Sequence, residues 1–238
     1  MNPCKQIRQR ILEIAYESGH GHIPSCFSVV EILYAVYSTM GEDDVFILSK
    51  GHAALAQYCV MEHFGLLKVE NFGAFGSRFG CHPDRSKTPV YASTGSLGHG
   101  LGIGVGVALG KWIKQEKGRV YVLIGDGEAN EGSVWEAVMV ASNLNLSNIT
   151  ILYDNNMSQT RGLQLPAPGL IFDAFDHETV GVDGHSVSSL LEALDCRHEA
   201  VMCHTMKGYP SHTLVSNMHE WHRRSPNDAE YESLLGEI

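Results

Sequence analysis

Apolar residues recur along the chain in short runs divided by glycine, proline and charge, and the runs switch between two periods. Residues 3–16 carry Ile7, Ile11, Leu12 and Ile14 at helical spacing with Lys and Arg between them, which predicts an amphipathic helix. "SGHGHIPSC" interrupts it with glycines and a proline. "SVVEILYAVYSTM" resumes a helical pattern, with Ser28 as the expected N-cap and Glu31 three residues on. "DDVFILSKGH" predicts a short buried strand running into a loop, and "HAALAQYCVMEHFG" a helix closed by Gly65. Residues 71–94 mix aromatic, basic and glycine residues without a period, the signature of an ordered functional loop.

The second half alternates more cleanly. Val120–Ile124 and Ile149–Tyr153 read as strands, with a helix over residues 133–143 between them. That is one βαβ unit, whose right-handed crossover brings both strand ends to the same edge of a parallel sheet. "ETVGVDGHSVSSLLEALD" then reads strand, turn, helix, and "AVMCHTMK" reads as a further strand. The expected fold class is therefore α/β, a parallel β-sheet flanked by helices on both faces. Upstream of the βαβ unit, glycines recur at 98, 102, 106 and 110. On a helix they form one smooth ridge, and the roughly 1 kcal/mol that each costs relative to Ala predicts close packing of a neighbouring backbone.

Composition narrows the function. The 238 residues are 44% hydrophobic and 18% charged, an ordinary soluble globular make-up. A net charge of -10 argues against non-specific binding to nucleic acid or to an anionic membrane. No apolar run is long enough to span a bilayer, and no secretory signal opens the chain. The six cysteines form no CxxC pair and read as reduced thiols of a cytoplasmic protein, at spacings unsuited to zinc.

The most informative stretch is "VYVLIGDGEANEGSVWEAVMVASNLNLSNITILYDNN". In open parallel sheets ligands bind beyond the carboxyl ends of the strands. Asp126 stands at one such end, and Asn155 and Asn156 at another. A carboxylate and a neutral amide oxygen suit a hard cation such as Mg2+ or Ca2+, whose remaining oxygens must come from backbone, water and a phosphorylated ligand. Gly125 and Gly127 strip the Cβ atoms from beside the acid, so backbone N–H groups can approach a phosphate. The competing reading is a plain strand-to-helix turn with an Asp cap and a polar Asn turn.

GDG followed after 27 residues by NN resembles the thiamine diphosphate-binding motif, and "EANEGSVWEA" is similar to its EGxxxEA continuation in transketolases. "SGHGHIPSCFSVVEIL", "FILSKGHAALAQY", "GCHPD", "STGSLGHGLGIGVGVALG" and "EWHRRSP" agree in order, over roughly residues 7–230. The chain thus resembles the N-terminal, diphosphate-binding (PP) half of a transketolase, of the kind encoded as a separate subunit. The resemblance implies thiamine diphosphate as cofactor with Mg2+, for which Ca2+ or Mn2+ can substitute. It implies Asp126, Asn156 and the Ser158 carbonyl as metal ligands, and Asn155 as a supporting neighbour. Gly125, Gly127, Glu128, Asn156, His52 and His222 would hold the cofactor's diphosphate end, and Gly95 and Leu97 its aminopyrimidine. His22, His82 and His222 would face the reacting carbons of the sugar, with His20 as a competitor for the place of His22. Glu131 and Glu136 would join a network reaching another subunit, although Glu131 also reads as a solvated acid at a helix start. His63, His177, His198, His204 and His212 carry no motif and read as surface or packing residues, and His185 as part of a structural turn.

The sequence departs from the family pattern in three places. Pro24 stands where small glycine-like residues are usual, His99 where glutamine is common in fused transketolases, and Arg223 where glycine typically follows the histidine. The last two change the charge near the substrate funnel, so they bear on the sugar rather than on the cofactor. A complete transketolase is more than twice as long, and residues 1–238 read as one PP domain. The resemblance therefore implies a C-terminal transketolase subunit carrying the pyrimidine-binding domain, most simply in an α2β2 assembly. The expected reaction is transfer of a two-carbon ketol unit from a ketose, a sugar phosphate or related sugar, to an aldose. The α subunit of a 2-oxoacid dehydrogenase, a deoxyxylulose-phosphate synthase fragment and a non-catalytic paralogue are the alternatives.

Overall fold

In the computed structural model, which describes residues 2–238 apart from the side chains of Thr160 and Arg161, five parallel strands form one sheet. They are β1 (Val45–Leu48), β2 (Val120–Gly125), β3 (Ile149–Asn155), β4 (Thr179–Asp183) and β5 (Ala200–His204), in the order β1-β2-β3-β5-β4. β2 and β3 are direct neighbours, and their register sets Gly125 opposite Asp154. The βαβ reading therefore holds, and both strands deliver their last residues to one edge.

Alternation along the strands sorts the core into two layers. Phe46, Leu48, Tyr121, Leu123, Leu152, Val201 and Cys203 point to one face. There they meet α1 (Pro3–Ser18), α2 (Ile23–Phe27), α3 (Val30–Thr39), α4 (Ala54–His63) and α8 (Val187–Asp195). Val45, Ile47, Val120, Val122, Ile124, Ile149, Ile151 and Met202 point to the other. That face is covered by α5 (His99–Lys114), α6 (Gly132–Asn143) and α7 (Pro168–Ala174). Two short C-terminal helices, α9 (His212–Ser216) and α10 (Asp228–Glu237), join the first layer through Leu214 and Leu234. Helices on both faces explain why the central strands are apolar throughout rather than alternating.

Local chemistry sets several boundaries. α1 starts where the Asn2 side chain accepts from the Cys4 N–H at 2.9 Å, and stops at Gly19 in the left-handed region. Arg8 of α1 reaches Glu31 of α3 through two hydrogen bonds of 2.6 Å and also donates to the Phe27 and Tyr209 carbonyls. This buried fork ties α1, α3 and the segment after β5 together, and removal of either partner would leave a desolvated charge.

Two expectations are corrected. Ser28 is not an N-cap: α3 begins at Val30 with no side-chain cap, and the Ser28 hydroxyl donates instead to Asp154 at 2.9 Å. A partner 126 residues away outcompetes the local backbone. The glycine ridge also packs differently. A Cβ on Gly100 would lie 2.3 Å from the Ser49 Oγ, and one on Gly104 would lie 2.4 Å from Val122 Cγ2, so these two glycines seat α5 on the sheet. Gly102, Gly106 and Gly110 have no atom within 4 Å of such a Cβ and turn away from the sheet. Beside them Ile103, Trp112, Ile113, Met139 and Val140 are exposed.

Candidate active site

A cleft of about 630 Å³ opens at the carboxyl ends of the strands, between the β2 and β3 termini and the loops after α1, β1 and β5. Asp126, the first residue after β2, is buried and accepts from the Gly127 N–H (2.8 Å), the Ser158 hydroxyl (2.8 Å) and the Gln159 N–H (3.2 Å). Asn156 follows β3 and is also buried. Its amide nitrogen donates to Asp154 at 2.7 Å, which fixes the amide's orientation and turns Oδ1 to the Ser158 N–H at 3.1 Å. Ser158 thus touches both the Asp126 and the Asn156 oxygens, so these two hard donors converge within one residue's reach. No group of three His, Cys, Asp or Glu side chains suited to a metal occurs among the described residues. A cation here would draw on oxygen from backbone and ligand, as the donor chemistry of Asp126 and Asn156 requires.

Strand alternation separates the two asparagines. Asn155, the last residue of β3, faces away and pairs with His204 at 3.2 Å, leaving Asn156 at the cleft. Beneath Asn156 lies a buried polar cluster that the motif did not announce. Asp154 receives Lys50, Ser28, Thr205 and Asn156, and Lys50 is its buried counter-ion. Burial alone would raise the Asp154 pKa, but the ammonium of Lys50 and these donors outweigh it and hold the carboxylate below its ordinary value. A carboxylate locked in this way acts on the cleft by orienting the Asn156 amide.

Gly125, Gly127 and Glu128 all line the cleft. The Gly125 N–H donates to Glu128 at 3.2 Å and the Asp126 N–H to the Asp154 carbonyl at 3.2 Å. Glu128 accepts from the Ser49 hydroxyl, the Gly98 N–H and the Gly125 N–H. It is a buried brace joining the loops after β1 and β2 to the start of α5, and burial raises its pKa. At Gly127 a Cβ would lie 2.4 Å from the Gln159 side-chain nitrogen.

Across the cleft three histidines form a triangle. The ring centroids are 5.5 Å apart for His22 and His52, 5.2 Å for His22 and His222, and 6.1 Å for His52 and His222. Burial and then neighbouring positive charge push His22 and His222 each down to about 4, and His52 further below the ordinary range. All three are neutral imidazoles near pH 7, each with one donor and one acceptor nitrogen. Lys207, which no motif singled out, lies beside them with its Nζ 3.3 Å from His222 Nδ1. Burial pushes its pKa down to about 8.

His82, Gly95 and Leu97 complete the cleft wall. Gly95 has φ +149°, and a Cβ there would lie 3.1 Å from the His82 ring. His20 reaches the rim but is exposed and packs edge-on to Phe72 at 6.5 Å and against Gly73, whereas His22 sits within the triangle. Glu131 and Glu136 lie outside the cleft, exposed at the start of α6 beside the apolar face of α5. Of the histidines without a motif, His177 is a packing residue, buried with its Nε2 3.1 Å from the Val138 carbonyl. His185 contacts Glu31 at 3.4 Å and accepts from the Met206 N–H.

Residues 5–225 match the family model described as "Transketolase, thiamine diphosphate binding domain". The chain is 33% identical over 262 residues to an apulose-4-phosphate transketolase subunit of Actinobacillus succinogenes, covering 99% of this chain and 94% of that protein. It is 34% identical over 257 residues to the transketolase of Homo sapiens, covering 99% of this chain but 41% of that one. The solved transketolase of Campylobacter jejuni superposes with a TM-score of 0.84 at 21% identity, over 99% of this chain and 42% of that one. The chain thus spans nearly all of the Actinobacillus subunit but about two fifths of the solved transketolase.

Proposed function

The chain belongs to the transketolase family, matching its thiamine diphosphate-binding domain, and from that premise we propose that it is the cofactor-holding subunit of a two-chain transketolase. Its reaction would move a two-carbon ketol unit from a ketose to an aldose. The observation that carries this reading is the convergence of Asp126 and Asn156 on Ser158, across one cleft from His22, His52 and His222. Residues 1–238 are read as one PP domain, with the pyrimidine-binding domain on a partner subunit in an α2β2 assembly. The 94% coverage of a relative that is itself named as a transketolase subunit supports that division.

Thiamine diphosphate, when bound, supplies a carbon nucleophile that also serves as an electron sink. This chain's part is to bind and orient. Asp126, Asn156 and the Ser158 carbonyl would hold Mg2+, for which Ca2+ or Mn2+ can substitute, since all three are hard oxygen donors. The Gly127 amide, Lys207, His52 and His222 would take the diphosphate. Gly95 and Leu97 would meet the aminopyrimidine through their backbone. His22, His82 and His222 would hydrogen-bond the sugar hydroxyls near the reacting carbons, as neutral rings able to give a proton from one nitrogen and accept at the other. Gly125 and Glu128 would join the Gly127 amide at the diphosphate end, with Glu128 also bracing the loops after β1 and β2. Glu131 and Glu136 are assigned to the partner contact, because they flank the exposed apolar face of α5 and α6. The name of the Actinobacillus relative supports a phosphorylated ketose as donor.

The test compares this chain alone with the chain co-expressed with its partner, in an assay of ketol transfer with Mg2+ and thiamine diphosphate. Transfer should appear only in the complex, and Asp126→Ala should lower cofactor affinity at least about tenfold by calorimetry. Robust transfer by this chain alone would refute the division of labour. Equal cofactor binding by wild type and variant would refute the metal assignment.

A further inference from the structure

Two consecutive arginines follow His222, and the fold treats them oppositely. Arg224 is held within the fold: its guanidinium lies 3.8 Å from the Trp221 ring centroid, 3.4 Å from Glu220, and is paired with Glu230. Its carbonyl presses on the turn before His22, where a Cβ on Gly21 would come within 2.5 Å of that oxygen. This contact and the buried Trp221 fix the backbone on both sides of Arg223. Arg223 lines the cleft and is exposed, and no carboxylate pairs with it among the described residues. That is notable in a chain with 27 acidic against 17 basic residues. The acids of the cleft are committed elsewhere, Asp126 to Gly127, Ser158 and Gln159, and Glu128 to Ser49, Gly98 and Gly125.

We propose that Arg223 is a specificity-determining residue of this chain, binding an oxyanion, a phosphate in the first instance, carried by the sugar substrate. The inference rests on the transketolase reading and deepens it. A guanidinium offers a planar fork of donors that matches a phosphate, and an unpaired one at a cleft mouth has no internal use for them. Its position favours the sugar over the cofactor. Arg223 directly follows His222 and lines the cleft with His22 and His82, the side chains assigned to the sugar. Glycine, typical of the family at this position, would place no donor there.

The experiment uses the complex with its partner chain and measures kcat/KM for a phosphorylated ketose donor, D-xylulose 5-phosphate, and a neutral one, L-erythrulose, with D-glyceraldehyde as a neutral acceptor that is a product of neither donor. In Arg223→Gly the ratio of phosphorylated to neutral efficiency should fall about tenfold to hundredfold, the loss entering through KM, and Arg223→Lys should restore part of it. If wild type accepts only the phosphorylated donor, the rise of its KM in Arg223→Gly is the readout. An unchanged ratio, or an unchanged KM in that case, overturns the inference and leaves the transketolase reading standing. A wild-type complex that uses neither donor removes both.

Discussion

His22, His52 and His222 owe their charge state to where the fold puts them. Each would titrate near 6.5 in the unfolded chain, but burial disfavours the imidazolium and brings His22 and His222 to about 4. The sign follows from proton counts. Between about pH 4 and 6.5 the unfolded chain binds protons that the folded chain refuses, so stability rises with pH across that window and is lost as pH falls through it. Urea unfolding of the cofactor-free chain should therefore weaken steadily from pH 6.5 downward, with His22 and His222 NMR titrations still flat at pH 5.5. A normal midpoint near 6.5 for either ring would contradict its buried, cation-flanked setting. These rings, with Asp126 and Asn156, were legible in the sequence because each stands in a short motif. Lys50, Asp154 and Lys207 were not. Lys50 meets Asp154 across 104 residues, and only the parallel register that brings the strand ends together reveals the pair.

At the scale of elements, α5 shows what spacing alone cannot decide. A repeat of four marks one face of a helix but not which face meets the sheet. The ridge through Gly102 and Gly106 turned outward, while Gly100 and Gly104 carry the close approach. Opposite outcomes follow for two similar substitutions. Gly104→Ala drives a methyl into Val122 and should cost about 1–3 kcal/mol. Gly106→Ala meets open space and should stabilise the isolated chain by up to about 1 kcal/mol through helix propensity. Chemical denaturation of the two variants checks both signs. The failed N-cap at Ser28 has a similar cause. A hydroxyl followed by Glu31 looks like a capping box, yet Arg8 claims the glutamate and Asp154 the serine. The element types and most boundaries were legible, because apolar period is a local property. The corrections fall where a side chain is recruited from a distance.

For the whole molecule, the parallel sheet collects every site loop at one end, while helices pack on both faces. The layer of α1–α4 is enclosed, but the outer side of α5 and α6 leaves Trp112 62% and Ile113 65% exposed. If that face receives the partner, Gly106→Leu should leave the circular dichroism of the isolated chain intact and abolish co-assembly in sedimentation velocity. Assembly like that of wild type would move the partner to another surface. Fold class and cleft residues were readable from the sequence, but this uncovered face was not, since it depends on which helix side the sheet leaves free.

The bare face of α5 and α6 also has a consequence for the cell. A copy made in excess of whatever covers it would keep indole and aliphatic groups in water, a surface that chaperones and proteases bind and that sticks to its own kind. The dosage of the two genes would then matter as much as the sequence of either. Unmatched synthesis should send this chain to the insoluble fraction or to degradation long before any shortage of cofactor is felt.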